Sequence, residues 1–233
     1  MKNIVPVFVL ICLFFSCEYK SGSGDLVKAT RSVQPFTTVS ASGGVEVEIT
    51  RGSSQQVIVE ADDNVIDDVE TKVINGQLKI SMEDGIDYDN VHVKIFITAR
   101  EITKISSAAS ADVKVAGVLE SRNKIELKAS SGSSIKAQVD APQADADASS
   151  GAEIDVTGKT RTFKVQASSG AAIEAFDLLS EDTFAEASSG GKVDVHASVK
   201  LDAKASSGGS VSYRGPAVTV TKESSGGSIK KEN

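Results

Sequence analysis

One tetrapeptide sets the terms on which this chain can fold. Ala-Ser-Ser-Gly stands at residues 129–132, 148–151, 167–170, 187–190 and 205–208, and Glu-Ser-Ser-Gly at 223–226. The first serines of successive copies are 19, 19, 20, 18 and 18 residues apart. A period this regular marks a repeated supersecondary unit. With that first Ser as position 1, position 6 is Ile135, Ile154, Ile173, Val193, Val211 and Ile229. Position 8 is Ala137, Val156, Ala175, Val195, Tyr213 and Lys231. Residues two apart share one face of a strand. Ahead of the serines, Ile125, Leu127 and Ala129 alternate with Glu126 and Lys128, and the next copies do the same. A weaker copy, Ala108-Ala109-Ser110 with Val113 at position 6, precedes the series.

Each unit therefore reads as strand, small-residue corner, strand and variable return. A propeller blade needs about 40–50 residues, roughly twice this length. A coil of 18–20 residues that rises one strand spacing, about 4.8 Å, per turn gives a single-stranded parallel β-helix. The predicted fold is all-β: a solenoid over 105–233, preceded by a β-rich region at 31–104 that supplies first coils or a cap. Its corners are Ser130 and Gly132, Ser149 and Gly151, Ser168 and Gly170, Ser188 and Gly190, Ser206 and Gly208, and Ser224 and Gly226. Glycine there can take positive φ, and stacked hydroxyls are expected to satisfy one another along the ladder. On this reading Gly170→Val unfolds or frays the coil, while Ser169→Ala costs little unless its hydroxyl ladder is buried.

The N-terminus reads as an address rather than a fold. Met1-Lys2-Asn3 is a basic start and Ile4–Phe15 a 12-residue apolar run, too short to span a bilayer but suited to a signal sequence. It closes on Ser16-Cys17, which resembles a bacterial lipobox, so residues 1–16 are expected to be removed and Cys17 lipidated. Cys12 would leave with the signal, making Cys17 the one cysteine of the mature chain and an intrachain disulfide impossible. Residues 17–30, with Ser21-Gly22-Ser23-Gly24, read as a flexible tether. Loss of Lys2 leaves 24 basic against 32 acidic residues, a balance that argues against nucleic acid as a partner. There is no Trp, and three of the eight Phe lie in the signal, so stability must come from many small contacts.

Between these regions, Val45–Ile49, Val57–Ala61 and Val91–Ile97 alternate as strands do. Asn75-Gly76 sits between two β runs, a signal for a two-residue hairpin. Met82–Asn90 reads as an acidic loop. Arg31-Ser32-Val33-Gln34-Pro35-Phe36, Val39, Gly44-Val45-Glu46-Val47, Asn75-Gly76-x-Leu78 and the trailing Ser-Gly-rich repeats together resemble the head GIN domain family. The resemblance covers about residues 31–230. That family is labelled an auto-transporter adhesin and is common among Bacteroidota envelope lipoproteins. The resemblance implies a β-helix in the cell envelope, at the outer membrane, with no catalytic residues to carry over. An autotransporter needs a C-terminal membrane barrel, whereas this chain closes on its last repeat, so the label is not expected to hold literally.

Few residue patterns in the chain point to chemistry. Position 7 carries Lys136, Asp155, Glu174, Asp194, Ser212 and Lys230, which should form one outward row. Asp155, Glu174 and Asp194 would then stack one strand spacing apart, close enough to share a cation or a proton. A solvated face is the simpler reading, because like charges in register are tolerable when exposed. Asp145 and Asp147 read the same way. His92 and His196 have no Cys or second His at ligand spacing, so no metal and no cofactor is expected. No Gly-x-Ser-x-Gly elbow activates a serine. The Gly-Gly pairs at 190–191, 208–209 and 226–227 lack the Asp of calcium-binding nonapeptides. With no Trp, a sugar-stacking platform would have to rest on Tyr213, Phe163, Phe176 or Phe184, and Phe163 falls on the inward face.

Three functions remain open at this point. The first is a non-enzymatic envelope lipoprotein, held to the membrane by its lipid and presenting a structural or adhesive surface to a glycan or protein. The alternative is a polysaccharide lyase or hydrolase using Asp155, Glu174 and Asp194. A flat Ser ladder facing ice is the third, and the absence of a regular Thr-x-Thr array counts against it.

Overall fold

In the computed structural model, described from Glu18 to Asn233, the chain is all-β apart from one 3-10 turn at Ile66–Asp68. The apolar run and Cys17 lie outside the described residues. Among those described, no helix is long and apolar enough to cross a membrane. The coils stack in parallel about 20 residues apart into a β-solenoid of roughly six turns.

Among the parallel ladders of the main 19-stranded sheet, two run along the axis and meet at the Ser-Ser-Gly edge. The sheet ahead of the corners stacks Gln77–Met82, Thr38–Ser42, Lys104–Ala108 and Lys124–Ala129. It continues through residues 143–148, 162–167, 182–187, 200–205 and 218–223. The sheet behind the corners stacks Val93–Ala99, Glu46–Arg51 and Asp112–Glu120. Beyond them come the position-6 strands from Ser134 to Lys231. At one end the parallel stack gives way to antiparallel strands. Val69–Ile74 folds back on Gln77–Met82, Gln56–Asp62 on Val93–Ala99, and Leu26–Arg31 on Gln56–Asp62. The Asn75-Gly76 hairpin is as the dipeptide predicts, with φ of 52° and 74° and Ile74 opposite Gln77.

The inward columns are those the period marks. Ile135, Ile154, Ile173, Val193 and Val211 are buried in register, as are Ala129, Ala148, Ala167, Ala187 and Ala205. Phe163 is the largest fully buried side chain. Alanine columns keep the coil thin, and burial of each Ile or Val side chain contributes about 1.5–3 kcal/mol.

The corner is a backbone device. Its second Ser and its Gly both have positive φ, for example Ser169 at 51° and Gly170 at 73°. The next N–H closes the turn onto the first Ser, as in Ala171 N–H to Ser168 O at 3.1 Å. Positive φ at both central residues is the type I′ pattern. The coils are then joined main chain to main chain, Ser168 N–H to Ala148 O at 3.0 Å and Gly170 N–H to Ser189 O at 3.1 Å. The expected hydroxyl ladder is not what holds the corner, because these amides already satisfy one another. Ser42-Gly43-Gly44 makes a further corner of the same kind, with φ of 85° and 69° at the glycines.

Differences in coil length are absorbed on the return side. Asp155 pairs with Glu174 but Gly158 with Leu178, so the 20-residue coil carries its extra residue at Phe176–Asp177. Corner register survives untouched.

The expected tether is corrected. Glu18–Ser21 is a strand parallel to Ile86–Asp89, within the expected acidic loop, and Leu26–Arg31 is a second strand. Asp62 accepts from the Gly24 N–H at 2.7 Å, Asn64 donates to Ser21 O at 2.8 Å, and Lys20 bonds Asp68 at 2.8 Å. Polar side chains of the body supply partners that the Ser-Gly composition conceals.

Candidate functional site

Position 7 does form an outward column. Lys136, Asp155, Glu174, Asp194, Ser212 and Lys230 follow one another in register, and Glu48 and Lys114 extend it toward the cap. The carboxylates in it do not converge as a reactive set. Lys136 bonds Asp155, and Lys192 bonds Asp194 at 2.7 Å. The hydrogen bond to Asp155 raises the Lys136 pKa, and the bond to Asp194 raises that of Lys192. Asp194 is 5% exposed, and its Oδ1 has no partner, so one member of the row expected at the surface is buried. Among the described residues no three His, Cys, Asp or Glu side chains are placed to hold a metal ion. A cleft of about 330 Å³ over this column is lined by Glu46, Glu48, Lys94, Lys114, Lys136 and Asp155.

The sheet ahead of the corners has its own outward columns. Asp145, Lys164, Phe184 and Asp202 form one, and Asp147, Gln166, Glu186 and Lys204 the next. Lys124 bonds Glu126 at 2.5 Å and Asp145 at 3.0 Å. The bond from Lys124 lowers the Glu126 pKa against the opposing effect of desolvation, with Lys104 assisting. Phe184 stands outward at 36% exposure above a cleft of about 380 Å³. The other aromatics weighed as platforms are engaged: Phe163 is buried, Tyr213 packs against the core, and Arg214 sits 4.0 Å from the Phe176 ring centre.

The two histidines build no catalytic dyad. His92 Nε2 lies 3.6 Å from Glu60, whose pKa is lowered chiefly by its bond from Lys28. Near His196 the hydroxyls of Ser180 and Thr183 share a 2.6 Å hydrogen bond, and both reach the His196 main-chain oxygen rather than its ring. A serine bonded to a carbonyl is not being activated by a base.

Two structural roles went unread in the sequence. At Gly191 a Cβ would stand 2.4 Å from Ala167 O, and at Gly209 2.5 Å from the Ala187 main chain. The Gly-Gly pairs therefore exist for close contact between coils. Their turns are correspondingly tight, 2.8 Å from Gly191 N to Ser188 O against 3.2 Å from Ala152 N to Ser149 O. The Ser42-Gly43-Gly44 corner is the second, and the alternation of Val39 and Ala41 before it was the available signal.

The family model described as "Putative auto-transporter adhesin, head GIN domain" matches residues 35–217. The chain belongs to the head GIN domain family. Solved structures agree on the fold. A "putative adhesin" from Bacteroides fragilis superposes with a TM-score of 0.85 at 18% identity, covering 91% of this chain and all of that one. A "putative lipid binding protein" from Parabacteroides distasonis gives 0.72 at 18% identity, covering 93% and 100%. A "putative adhesin" from Parabacteroides merdae gives 0.70 at 13%, also covering 93% and 100%. No curated protein matches the chain. The head GIN label names adhesins rather than enzymes, and it points to the cell envelope or surface.

Proposed function

We propose that this head GIN protein is a non-enzymatic adhesion module of the bacterial envelope, held to the outer membrane by a lipid on Cys17. The observation that carries the reading is the N-terminal clasp. The first strand begins at Glu18, one peptide bond beyond Cys17, and Lys20, Ser21 and Gly24 are bonded to the body. An acyl chain on Cys17 would therefore hold the solenoid itself at the bilayer, without slack. The outward columns support a binding role, since they are broad, polar and largely ion-paired. Partners on this reading are the membrane, through the lipid, and a glycan or protein met at the outward faces. The acidic balance disfavours nucleic acid.

Fractionation of cells tests the anchor. Wild-type protein should sediment with membranes, and Cys17→Ala should leave it soluble or as uncleaved precursor without incorporated palmitate. A Cys17→Ala protein that still carries palmitate overturns the anchor. Adhesion is tested by deletion: attachment to a glycan-coated surface should fall, and unchanged attachment contradicts the role.

A further inference from the structure

The geometry points to a binding site for a neutral glycan around Phe184, on the sheet ahead of the corners. This rests on the adhesive reading above and names the ligand class and the face that takes it. Tyr19 and Phe184 are the exposed aromatics among the described residues. Phe184 is the one set in a cleft of polar side chains, with a volume of about 380 Å³, a size within the usual range for small-ligand sites.

The surroundings of Phe184 form a grid. Lys164 is its in-register neighbour on the coil before, and Gln166 and Glu186 stand in the adjacent column with Asp147 beyond them. Columns rise about 4.8 Å per coil and stand about 6.6 Å apart along the strand. That spacing suits a saccharide chain lying along the axis, whose hydroxyls recur at the scale of one sugar ring. Glu186 is held by Lys204 at 2.8 Å. Lys164, Gln166 and Asp147 make no side-chain hydrogen bond or ion pair among the described residues. They are free to bond hydroxyls, which both donate and accept.

A sugar ring has a face of C–H groups that packs on an aromatic ring, while its edge needs hydrogen bonds. Phe184 offers the first and its neighbours the second. Lys200 Nζ stands over the Phe184 ring at 5.6 Å from its centre, so a sugar stacking on that face displaces this flexible side chain at a modest cost. The charge of the cleft selects among glycans. The lining is nearly balanced, with Glu126, Asp145, Asp147 and Glu186 against Lys124, Lys128 and Lys164, so no cluster of bases is there to hold a uronate polymer, and a neutral chain fits.

The test uses the folded protein beginning at Glu18, with cellotetraose, maltotetraose and N-acetylchitotetraose as probes and tetragalacturonate as the acidic control. Calorimetry should show binding of at least one neutral probe, weakened tenfold or more by Phe184→Ala and kept within threefold by Phe184→Tyr. Gln166→Ala and Asp147→Ala should each weaken it severalfold. Phe184 points outward, so its truncation should leave the melting temperature near that of the wild type. Failure of all three neutral probes at millimolar concentration overturns the assignment. So does equal binding by Phe184→Ala, or tighter binding of tetragalacturonate. On cells, a deletion that abolishes attachment while Phe184→Ala preserves it would sink this site and leave the adhesive reading standing.

Discussion

At the scale of single residues, two kinds of glycine do different work. Gly170 sits at φ +73° with nothing within 4 Å of a Cβ placed there, so a side chain meets strain but no clash. The left-handed conformation costs an L-residue about 1–2 kcal/mol. Gly170→Ala should lose about that much, and Gly170→Val somewhat more, without dismantling the solenoid; fraying is now expected to stay local. Gly191 is the reverse case, because its Cβ would press on main-chain atoms of the neighbouring coil at 2.4–2.9 Å. Gly191→Ala should cost about 3 kcal/mol, at the upper end of overpacking. Ser169→Ala should be close to neutral, since main-chain amides make the ladder. A urea series that placed Gly170→Ala below Gly191→Ala in stability would contradict this division of labour.

At the scale of the strand and its neighbours, the outward ion pairs give stability a pH signature. The Glu126 carboxyl is held below its ordinary range by Lys124, so the unfolded chain binds the proton more readily. Its contribution is complete above the unfolded value and is lost as pH falls through the folded one. Glu126→Gln should therefore lower stability near neutrality and flatten its decline on the acid side, so that variant and wild type converge at low pH. An acid limb equally steep in the variant would refute the assignment. This level also shows which parts of the molecule could be read in advance. Inward columns, corners and the position-7 row repeat every coil, so one strip of sequence predicts them all. The depth of the turn at Gly191, the burial of Asp194 and the clasp on residues 18–24 depend on residues far away in sequence. Asp62 and Asn64 hold the N-terminal segment, and no composition of Ser and Gly announces such partners. The Phe184 cleft was half legible: the aromatic was visible as a candidate, but its polar neighbours come from three different coils.

At the scale of the whole molecule, charge is unevenly spread. Residues 18–92 hold 14 acidic and 6 basic side chains, whereas residues 93–233 hold 18 of each. The net negative charge therefore belongs to the capped end, the end that carries the N-terminus. An acidic cap beside anionic lipid is not drawn down flat onto it, which favours a solenoid held at its capped end with its outward columns accessible. An adhesin must meet its partner from outside the cell. The most direct measurement places a cysteine at Lys164, on the sheet that carries Phe184, and treats intact cells with a membrane-impermeant maleimide. On the proposed anchor, lipidation occupies Cys17 and signal removal takes Cys12, so Lys164→Cys supplies the one free thiol. Labelling on intact cells equal to that after lysis is the outcome expected of an exposed adhesion surface. Labelling that appears only after lysis would contradict it.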